Sequence, residues 1–187
     1  MILKKFNVIL HPSRAPKIIE VIWQPPPPFW TKFNTSGSTS GIMSSCGGIF
    51  RENNSELLIC FGENTGIGNA LNVELSDAMR AIELANTHQR RNLWLEADSE
   101  LVIRAFKNHD LVPYHLRNRW LNCMLLTRSM NFMATHIFRE GNACANLLAD
   151  ASHSLENITV WMNLPSSISE SYCKNILGLP NFRFVTY

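Results

Sequence analysis

Trp94-Leu95-Glu96-Ala97-Asp98-Ser99-Glu100-Leu101-Val102 joins two different periodicities. From Asn92 to Ala97 the chain is a short run rich in aromatic and aliphatic residues. Beyond Asp98 the apolar positions Leu101, Val102, Ala105 and Phe106 fall at helical spacing. The pattern predicts a strand that hands over to a helix at Asp98, with a carboxylate at the junction. In open α/β sheets, ligands collect in the crevice beyond the carboxyl ends of the strands. Asp98 also has a plainer use there, as an N-cap accepting the first free N–H groups of the helix.

Working outward, the clearest helix lies upstream, with Leu75, Ala78, Met79, Ile82 and Ala85 on one face and Asp77, Arg80 and Glu83 elsewhere. Glu74 falls at or near its first turn, where a carboxylate interacts favourably with the helix dipole. Before it, Trp30 to Thr35, Cys46 to Arg51 and Leu57 to Phe61 read as three strands of an antiparallel meander, with Ser36 to Gly41 as a loop of small residues. Gly66-Ile67-Gly68 lacks the third glycine and the strand–turn–helix setting of a dinucleotide fingerprint, and reads as a loop. Downstream, Pro113 separates the helix after Asp98 from another over Tyr114 to Arg128. Phe132 to Phe138 is a last strand and Gly141 to Ser154 a last helix. This order predicts an α/β fold, a mixed sheet with helices packed on it, in one domain.

Residues 1–28 form an extended segment ending in the run Pro25 to Pro28, a stiff spacer or an SH3-type ligand. The domain proper spans 29–155, and a tail without sustained period occupies 156–187. Hydrophobic residues make up 45% of the 187, enough for a real core, and no apolar run approaches the roughly 20 residues that span a bilayer. Nothing at the N-terminus has the pattern of an export signal. The five cysteines are far apart and form no C-x-x-C pair, which argues against structural zinc and for free thiols in an intracellular, reducing compartment, nucleus or cytoplasm. The net charge of +2 is uneven: Lys4, Lys5, Arg14 and Lys17 against Glu20 put an excess of three positive charges in residues 1–27, leaving −1 for the rest. The globular part is not a strongly basic nucleic-acid binder by charge alone.

Ser36, Glu74 and Asp98 stand at element ends that could converge, with Asn146 in the last helix. A fully acidic set of four would suit paired Mg²⁺, which takes oxygen ligands. At ~4 Å and an effective dielectric of ~20, two dications repel by roughly 16 kcal/mol before screening, and anionic ligands must offset that. A serine hydroxyl and an asparagine amide halve the available negative charge. The stretch from Arg104 to Arg139 is locally basic, and Arg117 and Arg128, eleven apart, share a helix face. Arg104, Arg117 and Arg128 are candidates for phosphate contact, or simply a solvated surface.

Several motifs together resemble plant ribonuclease H-like domains derived from non-LTR retroelements. They are Val21-Ile22-Trp23-Gln24-Pro25-Pro26-Pro27-Pro28, Trp30-Thr31-Lys32-Phe33-Asn34-Thr35-Ser36-Gly37-Ser38, Cys46-Gly47-Gly48-Ile49-Phe50-Arg51, Glu74-Leu75, Leu95-Glu96-Ala97-Asp98-Ser99 and His136-Ile137-Phe138-Arg139-Glu140-Gly141-Asn142. Ala145, Leu148-Ala149 and Leu177-Gly178-Leu179-Pro180-Asn181 extend the resemblance through most of the chain. The resemblance implies a ribonuclease H-like, five-stranded mixed sheet flanked by helices, and cleavage of RNA–DNA hybrids by four carboxylates holding two Mg²⁺ or Mn²⁺. Glu74 and Asp98 match two of those ligands. Ser36 and Asn146 stand where the resemblance expects aspartates.

Three readings follow. The first is a nucleic-acid-binding domain with a degenerate two-carboxylate centre and weak or absent hydrolysis. The second is a working hybrid endoribonuclease, with Glu74 and Asp98 as metal ligands. The third is a protein-interaction module on the same scaffold, which would show no salt-dependent affinity for hybrid.

Overall fold

A computed structural model describes residues 16–185, so the first fifteen residues of the expected N-terminal segment lie outside the described residues. The strands of the main sheet are β2 (Thr31–Ser40), β3 (Met43–Arg51), β4 (Leu57–Ile67), β5 (Asn92–Ala97), β6 (Asn131–His136) and β7 (Thr159–Trp161). Their order is β6-β5-β2-β3-β4-β7, with β2, β5 and β6 parallel and the β2–β3–β4–β7 half antiparallel. The mixed sheet and the meander are therefore as the sequence predicts. A short sixth strand, β7, joins the edge of the five.

Helix α1 (Ala70–Thr87) follows the meander, and its predicted face, Leu75, Ala78, Met79, Ile82 and Ala85, is buried. Together with α2 (Glu100–Ala105) and α3 (Arg117–Thr127) it closes the main core against Phe33, Phe50, Phe61, Leu93 and Leu95. On the opposite face α4 (Ala143–Ala151) and α5 (Ser169–Ile176) close a smaller core of Ile49, Cys60, Cys144, Leu148, Ile168 and Tyr172. The expected helix over Tyr114 to Arg128 begins as a 3₁₀ turn at Tyr114–Leu116. The one over Gly141 to Ser154 is an α-helix flanked by 3₁₀ turns at Arg139–Asn142 and Ser152–Ser154.

Two strands are longer than predicted. β2 continues through Ser36 to Ser40, and β4 continues through Gly66 and Ile67. Small residues there read as loop; β2 needs them because helices lie directly on it, whereas Gly66 of β4 has open space around it and a positive φ. A β-carbon on Gly47, which pairs with Ser36, would sit 2.5 Å from the Ala149 amide nitrogen of α4.

The flanking segments are structured as well. β1 (Lys17–Val21) pairs antiparallel with β8 (Asn181–Val185) as a separate two-stranded sheet, joining the N-terminal segment to the tail. Just past β1, Trp23 is buried, and its indole N–H donates to Asn34 Oδ1 at 2.8 Å. The Arg51 guanidinium stacks 3.6 Å from the Trp23 ring and also donates to Asn34 Oδ1 at 2.7 Å. Asn34 passes the network on to Glu96, which forms a 2.8 Å ion pair with buried Lys32, and Lys32 donates to the Gln24 carbonyl.

Candidate active site

The strand register brings the predicted residues together. Lys32 pairs with Trp94, Asn34 with Glu96 and Thr35 with Ala97, so Ser36 and Asp98 stand side by side just past the last parallel pair. Ser36 is buried on the face of β2 that α4 covers. Two residues on, Ser38 Oγ donates to Asp150 Oδ1 at 2.6 Å, one helical turn beyond Asn146. On the other face, Glu74 of α1 lies over Gly37, where an added β-carbon would be 2.9 Å from Glu74 Cγ.

Neither plainer use of the two carboxylates holds. The N-cap of α2 is Ser99 and not Asp98. α1 starts at Ala70 under an Asn69 cap, so its first turn contains no acidic residue and Glu74 lies beyond it. Both carboxyls are instead partly buried in one crevice. Burial raises the Glu74 pKa, with Asp98 adding to the shift, while a hydrogen bond with Ser99 and the charge of Arg139 oppose it. Burial also raises the Asp98 pKa, against a backbone N–H, a hydrogen bond from Asn142 and the charges of Arg139 and His136. Asn146 donates to the Arg139 carbonyl at 2.9 Å, and its Oδ1 has no hydrogen-bond partner.

Among the described residues no three His, Cys, Asp or Glu side chains gather so as to hold a metal ion. Glu74 and Asp98, beside the neutral Ser36 hydroxyl and Asn146 amide, supply two negative charges toward the repulsion that two dications would have.

None of the basic candidates is among the charges that act on Glu74 and Asp98. Arg104 is exposed at the end of α2, and Arg117 and Arg128 are exposed at opposite ends of α3. Arg117 donates to the Val112 and Asp110 carbonyls, bracing the loop before its own helix. Arg119 is spent on a two-bond contact with Glu83 of α1, two turns or more beyond Glu74.

Sequence reasoning assigned no role to three residues that shape the site. Asn142 donates to the Thr35 carbonyl at 2.8 Å, fixing the loop that carries Arg139 against β2. Arg139 is the cation whose charge acts on both carboxylates. Asp77, fully buried, bonds the Thr35 hydroxyl, and its Oδ1 has no partner. Its spacing of three residues from Glu74 was the available signal, since that puts both on the face turned to β2.

No curated protein matches this chain in sequence. Several solved structures match in fold. RNase H1 of the halophilic archaeon Halobacterium salinarum is 19% identical with a TM-score of 0.57, covering 66% of this chain and 96% of its own. LC11-RNase H1, solved in complex with an RNA/DNA hybrid, is 18% identical with a TM-score of 0.58, covering 65% and 95%. The N-terminal RNase H domain of a Mycobacterium tuberculosis protein, fused to maltose-binding protein, is 15% identical with a TM-score of 0.60, covering 66% and 93%. At these identities the likeness establishes a ribonuclease H-like fold. In sequence, the Reverse transcriptase-like family matches residues 33–152, well over half of the chain and all of the crevice, and the chain belongs to that family.

Proposed function

We propose that this chain is a retroelement-derived, ribonuclease H-like domain that binds RNA–DNA hybrid or a related duplex but no longer hydrolyses it efficiently. The observation that carries the reading is the pairing of Glu74 with Asp98 in the crevice beside neutral Ser36 and Asn146. The hybrid bound to LC11-RNase H1 supports the substrate class. The order of the plant-like motifs, from Trp23 to Asn181, supports the origin.

The crevice keeps what positions a duplex backbone near the carboxylates: Arg139 for phosphate charge, and Asn142, Ser99 and Asn146 for polar contact. It lacks the negative charge that would assemble Mg²⁺ or Mn²⁺ in pairs. Glu74 and Asp98 remain available to one divalent ion weakly, in competition with protons.

The decisive experiment incubates labelled RNA–DNA hybrid and Mg²⁺ or Mn²⁺ with the native protein and with the double variant Ser36→Asp, Asn146→Asp. Binding by both and cleavage by the variant alone are expected. Cleavage by the native protein that Asp98→Asn abolishes would make it an enzyme and overturn the reading. Absence of salt-dependent hybrid affinity would leave a protein-interaction scaffold.

A further inference from the structure

Glu96 and Trp94 precede Asp98 on the same face of β5, the face opposite buried Leu93 and Leu95. They wall a cavity of about 320 Å³ with His136 and Phe138, at and just past the end of β6, and with Glu20 and Gln24 from the N-terminal segment. Glu96 in its wall is two residues from Asp98, roughly 7 Å along an extended strand.

The walls are aromatic and held in place. Trp94 Nε1 donates to Thr135 Oγ1 at 2.7 Å, and the Lys32 ammonium sits 3.8 Å from the Trp94 ring. Phe138 leaves 37% of its surface exposed while the Arg183 guanidinium lies 4.6 Å from its ring. His136 meets Phe138 edge-on. Polar capacity in the cavity is unspent. Glu96 Oε2 serves Lys32 and Asn34, but among the described residues Oε1, the Gln24 side-chain amide and the His136 imidazole form no hydrogen bond. Lys32 neutralises Glu96, which leaves the exposed Glu20 carboxylate as the negative charge on the cavity wall. At the rim Arg139 directly follows Phe138 and forms no ion pair among the described residues.

We propose that this cavity takes one unpaired nucleobase, from a single-stranded overhang next to a duplex seated on the crevice. Flat π-faces with hydrogen-bonding groups at their edges match a base, which offers one stacking face and one polar edge, better than they match a duplex backbone or an aliphatic ligand. A base with edge N–H donors would meet the free Glu96 oxygen. The assignment rests on the nucleic-acid reading above. The same chemistry would admit the base of a free nucleotide.

The test compares the affinity of the native protein for a blunt RNA–DNA hybrid and for the same hybrid with a short overhang, at one salt concentration. The overhang is expected to gain roughly tenfold, within the range for one stacked base. Phe138→Ala should remove that gain and leave blunt affinity unchanged, and Phe138→Tyr should keep it. Guanosine monophosphate distinguishes the sources: competition that Phe138→Ala abolishes assigns the cavity to free nucleotides as well, and no competition assigns it to the strand. Equal affinity of the native protein for both hybrids, or a gain that survives Phe138→Ala, would overturn the cavity assignment alone. Failure to bind either hybrid would overturn the nucleic-acid reading with it.

Discussion

Glu74 lies over Gly37 so closely that a single added carbon on the glycine would come within 2.9 Å of Glu74 Cγ, and within 3.3 Å of Val73 Cγ1. The carboxylate is thus positioned by the absence of a side chain on the strand beneath it. Gly37→Ala should cost about 2 kcal/mol by overpacking, a fall of roughly 4–8 °C in Tm for a chain of this size. In the Glu74→Ala background, where Cγ is gone, the same substitution should cost much less. Strict additivity of the two changes in thermal unfolding would show that the glycine does not set the carboxylate's position.

Asp77 predicts an unusual pH dependence. Burial raises its pKa well above the ordinary value, Glu63 adds to the shift, and contacts with Cys46, the Ser36 backbone and Arg80 oppose it. The native protein therefore holds this proton where the unfolded chain has released it, and stability falls as pH rises from the ordinary carboxylate range toward the raised one. The raised pKa values of Glu74 and Asp98 act with the same sign. Asp77→Asn keeps the size and cannot ionise. It should change little near about pH 5 and raise Tm near about pH 8. Melting curves with the same pH slope for both proteins would refute this.

The Lys32–Glu96 pair is almost wholly buried, with side chains 1% and 8% exposed. Glu96→Gln leaves the ammonium without its counter-charge and should cost about 3–5 kcal/mol, whereas Lys32→Met with Glu96→Gln should recover part of that loss. Chemical denaturation of the two single variants and the double variant measures it. A double variant as unstable as the sum would place the stability elsewhere.

Removal of residues 1–24 takes away Trp23 and β1. The Arg51 guanidinium loses the ring it stacks on, Asn34 loses a donor and β8 loses its only strand partner among the described residues. A loss of at least about 3 kcal/mol is expected, as for deletion of a buried tryptophan. An unchanged Tm would mean that the segment ahead of Pro25 acts only as a spacer.

What the sequence conveys well is whatever repeats locally. The buried face of α1 and the hand-over at Asp98 both come from short-range periodicity, and both stand in the structure. Ser36 to Ser40 read as loop because small polar residues usually mark one, yet here they let α1 and α4 approach the strand, with Ser38 bonded to Asp150 of α4. The pairing of β1 with β8 has no local signature, since each strand is five residues long and its partner lies at the other end of the chain. Local pattern puts Glu74 near a helix start and Asp98 at a strand–helix junction, but only the resemblance raises them above a dipole contact and a cap. Asn142 and Asp77 acquire their roles from neighbours that the fold supplies.

The β1–β8 pairing sets Lys17 opposite Val185. A chain fastened this way is topologically close to a ring, because a short linker would span the gap from Val185 to Lys17. New ends could then be opened at the Gly41-Ile42 turn, where Gly41 has room around it and Ile42 is exposed. The same geometry suits insertion into a loop of another protein, because the host would need to supply only one inter-strand spacing, roughly 5 Å, between its own ends.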